Sequence, residues 1–323
     1  MITNNKNVSL NMAVFLAHDE YDYNKESNYI SVTSLLKPLR AIITGLNSKA
    51  SAEPDVLDFV ASRVGTAIHT ASENAWLNGN YKKSMWKLGC TSQVINAIKV
   101  NPTKEEVETT KGIMPVYLER RSIKEIEGFK VGGKFDCVMD GNIRDIKTVK
   151  AFSYMKNDME PYRLQLSIYR WLNQDIIPSN IGYVDMLITD WKQYEADAKP
   201  EYPQTPVVEK RIKLMSLTET EEWLKERLNS ITQLINVPQD QLPLCTPEEL
   251  WASPDKWAFY AKPESKRATK VSEDQYLINQ MYIEKGSKGR VEYRAGTPKR
   301  CDYCLKAECS QAQDFILQGL ISE

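Results

Sequence analysis

Residues 131–150, VGGKFDCVMDGNIRDIKTVK, restrict what this chain can fold into more than any other stretch. Asp140-Gly141-Asn142 is a tight-turn signal between two alternating apolar segments, so the stretch reads as a hairpin. The first strand carries Gly133-Lys134-Phe135-Asp136 and the second carries Asp145-Ile146-Lys147. Residues two apart on a strand share a face, so Asp145 and Lys147 project together, and a ladder across the hairpin brings Asp136 alongside. Carboxylates are hard oxygen ligands suited to Mg²⁺ or Mn²⁺. A lysine beside them can lower the pKa of a water ligand or stabilise charge developing on phosphorus. A solvated hairpin with ordinary surface charges fits the D-x-K triplet equally well, so the rest of the chain has to decide.

A chain of 323 residues can bury one large core or two modest domains. No apolar run approaches the roughly 20 residues of a membrane span. The apolar run 12–17 lacks the flanks of a signal peptide, so the expected compartment is the cytoplasm, without membrane association. A formal net charge of −1 means that any nucleic-acid binding must come from a local basic face. Six cysteines in such a compartment argue against a disulfide framework and leave metal binding or burial.

The chain reads as a flexible lead-in over 1–30, a core over 31–240 and a basic extension over 241–323. Residues 31–36 turn from an extended piece into a helix capped by Thr33 or Ser34, with Lys37, Arg40 and Lys49 as a basic flank, most simply a surface helix. After Pro54, Val56, Val60, Val64, Ile68, Ala71 and Ala75 follow helical spacing and mark a buried stripe. Gly65, His69 and Glu73 form an adjacent face, with Gly65 admitting a close backbone neighbour. A lone histidine beside an apolar stripe is more often a satisfied core residue than a ligand; the acidic hairpin downstream favours ligation.

Residues 81–101 read as a basic connector ending in a helix over 92–99, and Thr103 caps the next helix. A strand then runs from Val116 through Glu119 towards Ile126, predicting an antiparallel meander of at least three strands with the hairpin. Glu119 either reaches the metal site or pairs with a surface cation. Residues 160–173 form a helix with Gln165 and Tyr169 on the shoulder of its apolar face. Further strands are expected over 181–189 and 207–215, and a helix over 216–235 opens with a Ser216-x-x-Glu219 capping box. From residue 243 regularity drops. Residues 255–300 hold eleven Lys/Arg against six Asp/Glu, interleaved with Trp257, Tyr260, Tyr276, Tyr282 and Tyr293, a backbone-binding signature.

In order, Gly65-x-x-x-His69, Glu119, Gly133-x-x-Asp136, Asp145-x-Lys147 and Gln165-x-x-x-Tyr169 resemble the RecB-type branch of the PD-(D/E)XK nuclease superfamily. The match covers roughly residues 31–190, and the surrounding text is similar to phage exonucleases related to exonuclease VIII and lambda exonuclease. The resemblance implies an α/β (α+β) restriction-endonuclease-like core, a central mixed sheet with flanking helices, followed by an irregular basic C-terminal region. It implies Mg²⁺ or Mn²⁺ held by His69, Asp136, Asp145 and the Ile146 carbonyl. Lys147 then activates water, while Gln165, Tyr169 and Glu119 support the site. The implied activity is DNA hydrolysis by a phage or prophage exonuclease in recombination or end resection, in a bacterial cytoplasm, with DNA and a single-strand annealing recombination protein as partners.

Cys301-x-x-Cys304-x-x-x-x-Cys309 resembles the cluster that closes an iron–sulfur site in AddB-type and CRISPR-adaptation nucleases. Those relatives take a fourth cysteine from ahead of the histidine helix, where this chain has none. Cys245 is the best replacement and Cys90 the second, for either [4Fe–4S] or structural Zn²⁺. A nicking or structure-specific endonuclease on the same fold, or a non-catalytic DNA-binding scaffold, competes with the exonuclease reading. Oligomeric state has no sequence signal.

Overall fold

A type I′ turn organises the first part of the fold. Asp140 and Gly141 both take positive φ (47° and 75°), the backbone that matches a two-residue hairpin to strand twist. The computed structural model describes residues 1–19, 23–24, 26–48 and 53–322. Lys49 of the expected basic flank, and Tyr21, Asp22 and Lys25 of the lead-in, lie outside the described residues. The chain divides into two units, Met1–Leu36 with Ala52–Asn229, and Lys37–Ser51 with Ser230–Glu323.

The first unit contains β1 (Tyr29–Ser31), β2 (Ile98–Val100), β3 (Met114–Leu118), β4 (Arg121–Ile126), β5 (Phe129–Lys134), β6 (Cys137–Met139), β7 (Asn142–Val149), β8 (Ile181–Ile188) and β9 (Val207–Lys213). The main sheet has the order β2-β3-β6-β7-β8-β9 and is mixed: β2–β3 and β7–β8 are parallel, the other pairs antiparallel. Parallel β7 and β8 require a crossover, supplied by helices Ala151–Lys156 and Glu160–Leu172. The sheet is therefore a central mixed sheet with flanking helices, as expected.

The meander β3-β6-β7 is present, but the expected two-strand hairpin over 131–150 is three strands. Gly133 and Lys134 end β5 in a separate sheet ordered β1-β5-β4, and Phe135-Asp136 joins the sheets. The cause is a bend in one long antiparallel ribbon. Leu118 faces Cys137 and Arg121 faces Lys134, with no residue inserted between, and the Glu119 N–H still donates to the Asp136 carbonyl at 3.0 Å. At that point Glu119 takes φ +49°, a left-handed backbone uncommon outside glycine, so the expected strand through Glu119 breaks into β3 and β4.

Helix Val60–Trp76 follows a short turn, Val56–Phe59, closed by an Asp55/Asp58 capping box. The expected buried stripe is a correction: Val56 is buried, but Val60, Val64, Ala71 and Ala75 are exposed. The half-buried face is the one bearing Gly65, Ile68, His69 and Glu73. Gly65 is not forced by close packing either, since a Cβ there would meet only Thr148 Oγ1 at 3.8 Å. The connector holds helices Asn80–Lys87 and Ser92–Ala97 and the unexpected edge strand β2. Residues 1–30 contribute helix Leu10–Ala17, with Leu16 buried, and Ser31 rather than Thr33 or Ser34 caps the next helix by accepting from the Ser34 N–H. Helix Leu217–Leu234 opens with the expected Ser216/Glu219 box. No helix among the described residues is long and apolar enough to cross a membrane.

In the second unit the C-terminal region is more regular than its sequence suggests. β10 (Lys256–Tyr260), β11 (Lys270–Ser272) and β12 (Arg290–Arg294) form an antiparallel sheet ordered β11-β10-β12, packed by helix Gln275–Glu284. Arg40 is not a surface charge. It is 2 % exposed, and its guanidinium donates to the carbonyls of Gln239, Leu242 and Pro243 and to Ser310 Oγ. A planar fork of five donors suits three backbone acceptors that no other side chain satisfies at once.

Gly133 is fixed by close approach. A Cβ there would lie 2.8 Å from Tyr169 Cε1, a ring only 4 % exposed. We expect Gly133→Ala to lower unfolding free energy by about 1–3 kcal/mol in urea titrations, the usual overpacking range. Unchanged stability would show that the ring has room to move.

Candidate active site

The site grows from β7. Parallel register pairs Ile143 with Gly182, and a Cβ on Gly182 would touch Leu166 of helix Glu160–Leu172. Ile143, Asp145 and Lys147 therefore share the sheet face beneath that helix. Asp145 is 2 % exposed, and Lys147 Nζ lies 2.7 Å from its Oδ2. That oxygen has no other polar partner among the described residues.

Asp136 sits at the ribbon bend and joins three elements. Its Oδ2 accepts the Ile146 N–H at 2.8 Å, and its Oδ1 lies 3.2 Å from His69 Nδ1. Glu119, across the bend, is paired with Lys134 at 2.6 Å. Ligand atoms of His69, Glu119 and Asp136 all lie within 4.8 Å of one another, the one such three-donor group among the described residues.

Burial sets the electrostatics. It raises the Asp145 pKa, with the Asp136 charge adding to the rise while Lys147 and His69 oppose it. Burial also raises the Glu119 pKa, against the pull of Lys134. For Lys147, burial pulls the pKa down, but the Asp145 and Asp136 carboxylates outweigh it and the net shift is upward. The His69 pKa rises through its hydrogen bond to Asp136. The site thus gathers carboxylates whose charged forms burial disfavours, an arrangement that a divalent cation would offset. The donor set fits such an ion: one imidazole and hard carboxylate oxygens, one of them buried with a single ion-pair partner.

The hairpin, the Glu119 strand and the His69 helix are brought together as the sequence suggests. The other expected residues are placed differently. Ile146 touches Asp136 through its amide. Gln165 is 8 % exposed and Tyr169 is 4 % exposed, so both belong to the helix core rather than its shoulder, with Tyr169 packed behind Gly133. Tyr162 was missed. It is half-buried near Lys147 and Asp145, whose charges act on its hydroxyl. Its spacing from Gln165 and Tyr169 places it on the same helix side and was the available signal.

The C-terminal cysteines converge within the second unit. Cys245, Cys301, Cys304 and Cys309 line a cavity of about 140 Å³ together with Arg40 and Arg300. Gln311 holds the Cys245 backbone from both sides, accepting its N–H and donating to its carbonyl. Burial pushes the Cys245 thiol up to about 12 and the Cys301 thiol up to about 11, with neighbouring thiol charge adding to each. Cys137 is likewise pushed up to about 12 by burial in the main sheet. Cys90 is not among the residues lining the cavity.

No family model and no curated protein matches the sequence. Among solved structures, SSO0001 aligns over 71 % of this chain and 84 % of its own at 17 % identity and TM-score 0.39. A protein named as an exonuclease from Eubacterium rectale aligns over 70 % of this chain and 96 % of its own, at 14 % identity and TM-score 0.34. A phage-related exonuclease from Haemophilus somnus aligns over 41 % of this chain and 64 % of its own, at 14 % identity and TM-score 0.26.

Asp136→Asn keeps an acceptor for the Ile146 amide and removes the charge. We expect calorimetric Mn²⁺ titration to show binding by the wild type and at least about tenfold weaker binding by the variant, since even supporting residues of metal sites cost that much. Equal affinity would place the ion elsewhere.

Proposed function

We propose that this chain is a divalent-metal-dependent nuclease that hydrolyses DNA phosphodiester bonds. The observation that carries the reading is the buried Asp145–Lys147 pair set beside the His69, Glu119 and Asp136 donor group. The order of these residues along the chain supports the RecB-type PD-(D/E)XK reading, and within it the phage exonuclease branch. The same reading makes Mg²⁺ or Mn²⁺ the metal, DNA the substrate, and recombination or end resection the setting, with an annealing protein as partner.

His69, Asp136 and Asp145, joined by Glu119 or the Ile146 carbonyl, would hold the ion. When bound, it supplies the positive charge that polarises a phosphate and makes a water nucleophilic. A divalent ion held by these carboxylates would supply the counter-charge that Lys147 now gives Asp145, which would leave Lys147 to act on the reacting atoms. Its ammonium then orients the attacking water and stabilises charge growing on the phosphate oxygens. Asp136 holds the His69 ring by the Nδ1 contact, and the Ile146 amide holds Asp136. Tyr162 would close the site from the helix above, with Gln165 and Tyr169 supporting it from that helix's core.

End-labelled linear and closed circular duplex DNA, incubated with Mg²⁺ or EDTA, test this reading with wild type and Asp145→Asn. We expect Mg²⁺-dependent loss of label from linear DNA, abolished in the variant. Cutting of circles would replace exonuclease with endonuclease, and no cutting with intact DNA binding would leave a scaffold. Lys147→Met should retain Mn²⁺ binding while losing about 10²-fold or more in rate, the usual cost of one charge-stabilising donor.

The cysteine cavity supports a second bound group. Zinc with Zn–S near 2.3 Å draws four sulfurs to within about 4 Å of one another. An iron–sulfur cluster, whose thiolates each bind a different iron, holds them farther apart, and the four cysteines lining the cavity offer donors for either group. Anaerobically purified protein should contain iron and acid-labile sulfide, both lost in Cys304→Ala. Stoichiometric zinc without iron would contradict the cluster.

A further inference from the structure

The small sheet of the second unit carries a charged surface that the proposed site does not use. β10 ends at Tyr260, β11 returns from Lys270, and β12 leaves antiparallel to β10 from Arg290. The loops 261–269 and 285–289 therefore emerge at one end of the sheet. They are fastened together: Arg290 donates through Nε to the Pro263 carbonyl at 2.9 Å and through Nη2 to the Ser265 carbonyl at 3.3 Å. A Cβ on Gly289, which has φ +111°, would lie 2.1 Å from the Tyr260 carbonyl oxygen, so only glycine fits this approach. Arg290 itself is occupied, stacked 3.6 Å from the Tyr260 ring centre and paired with Glu292.

These loops and their flanks carry Lys262, Lys266, Arg267, Lys270, Lys285 and Lys288, all exposed. Only Glu264 and Glu284 stand against them. None of the six side chains has a hydrogen-bond or ion-pair partner among the described residues. Some exposed cations elsewhere in the chain are paired, as Lys99 is with Glu106, Lys199 with Glu195 and Lys225 with Glu221, whereas Lys82, Lys83 and Lys87 are not paired among the described residues. Unpaired like charges gathered on fastened loops repel one another, and a polyanion removes that repulsion. The loops carry no large apolar side chain to enter a membrane interface. A phosphate backbone needs only charge at intervals, without base-edge contacts.

We propose that these two loops form an accessory, sequence-independent contact for the phosphate backbone of nucleic acid. The choice of nucleic acid as partner rests on the nuclease reading; the loop geometry does not.

Fluorescence anisotropy with labelled duplex DNA in EDTA reads binding without hydrolysis. The variant K262Q/K266Q/R267Q/K288Q, checked for native circular dichroism, should bind at least about tenfold more weakly. Its plot of log K against log salt should be shallower by up to about 3.6, given a slope near −0.9 for each of the four phosphate contacts. K82Q/K83Q/K87Q, on exposed lysines of the other unit, should bind as wild type does. Equal affinity and slope for the loop variant, or no DNA binding by wild type, overturns the proposal. So does loss of binding to anionic phospholipid vesicles with DNA binding unchanged. A separate Mg²⁺ assay on a short oligonucleotide reads the active site. Loop-dependent binding by a protein that cuts nothing would sink the nuclease reading and uphold this one.

Discussion

The Asp136 carboxylate is the joint on which the first unit's site depends. One oxygen accepts the Ile146 amide of β7 and the other meets His69 of helix Val60–Trp76, while the residue's backbone holds the ribbon at its bend. Three elements distant in sequence are therefore fixed through one side chain. Removing that carboxylate would leave the Ile146 amide and the His69 Nδ1 without the partner that positions them. The bend makes this joint possible. Glu119 and Asp136 face each other across the ribbon at that bend, and their carboxylates meet the His69 ring there.

That arrangement places charges where they are hard to keep. Asp145 is almost wholly desolvated and is ion-paired with Lys147, with the Asp136 charge and His69 acting on it as well. Such groups raise folding cost unless paired, and their gathering at one point of the sheet marks a candidate cation site. The second unit is organised differently. Arg40 spends its guanidinium on carbonyls of the segment that leads into Cys245, so a buried side chain steadies one wall of the cysteine cavity.

Much of this was legible in the sequence because short-range chemistry reports itself. The Asp140-Gly141 turn, the D-x-K spacing, the Thr103 cap, the Ser216 capping box and the strand expected over 181–189 follow from local rules, and each is present. The failures were non-local. The break at Glu119 leaves no glycine or proline as a mark. The helix around His69 buries its small and polar face because that face meets the site, so its apolar spacing pointed the wrong way. Arg40 read as a surface charge because its acceptors lie about two hundred residues later. The sheet of β10, β11 and β12 was hidden by loops rich in lysine, whose polarity masks short strands.

The most direct test of the central claim is an anomalous-difference map from crystals soaked in Mn²⁺ and measured at the manganese edge. The account predicts a peak bounded by Asp136, Asp145 and His69, with Lys147 displaced from the Asp145 carboxylate. A saturated soak whose only peaks lie away from these residues, with the Lys147–Asp145 pair intact, would contradict it.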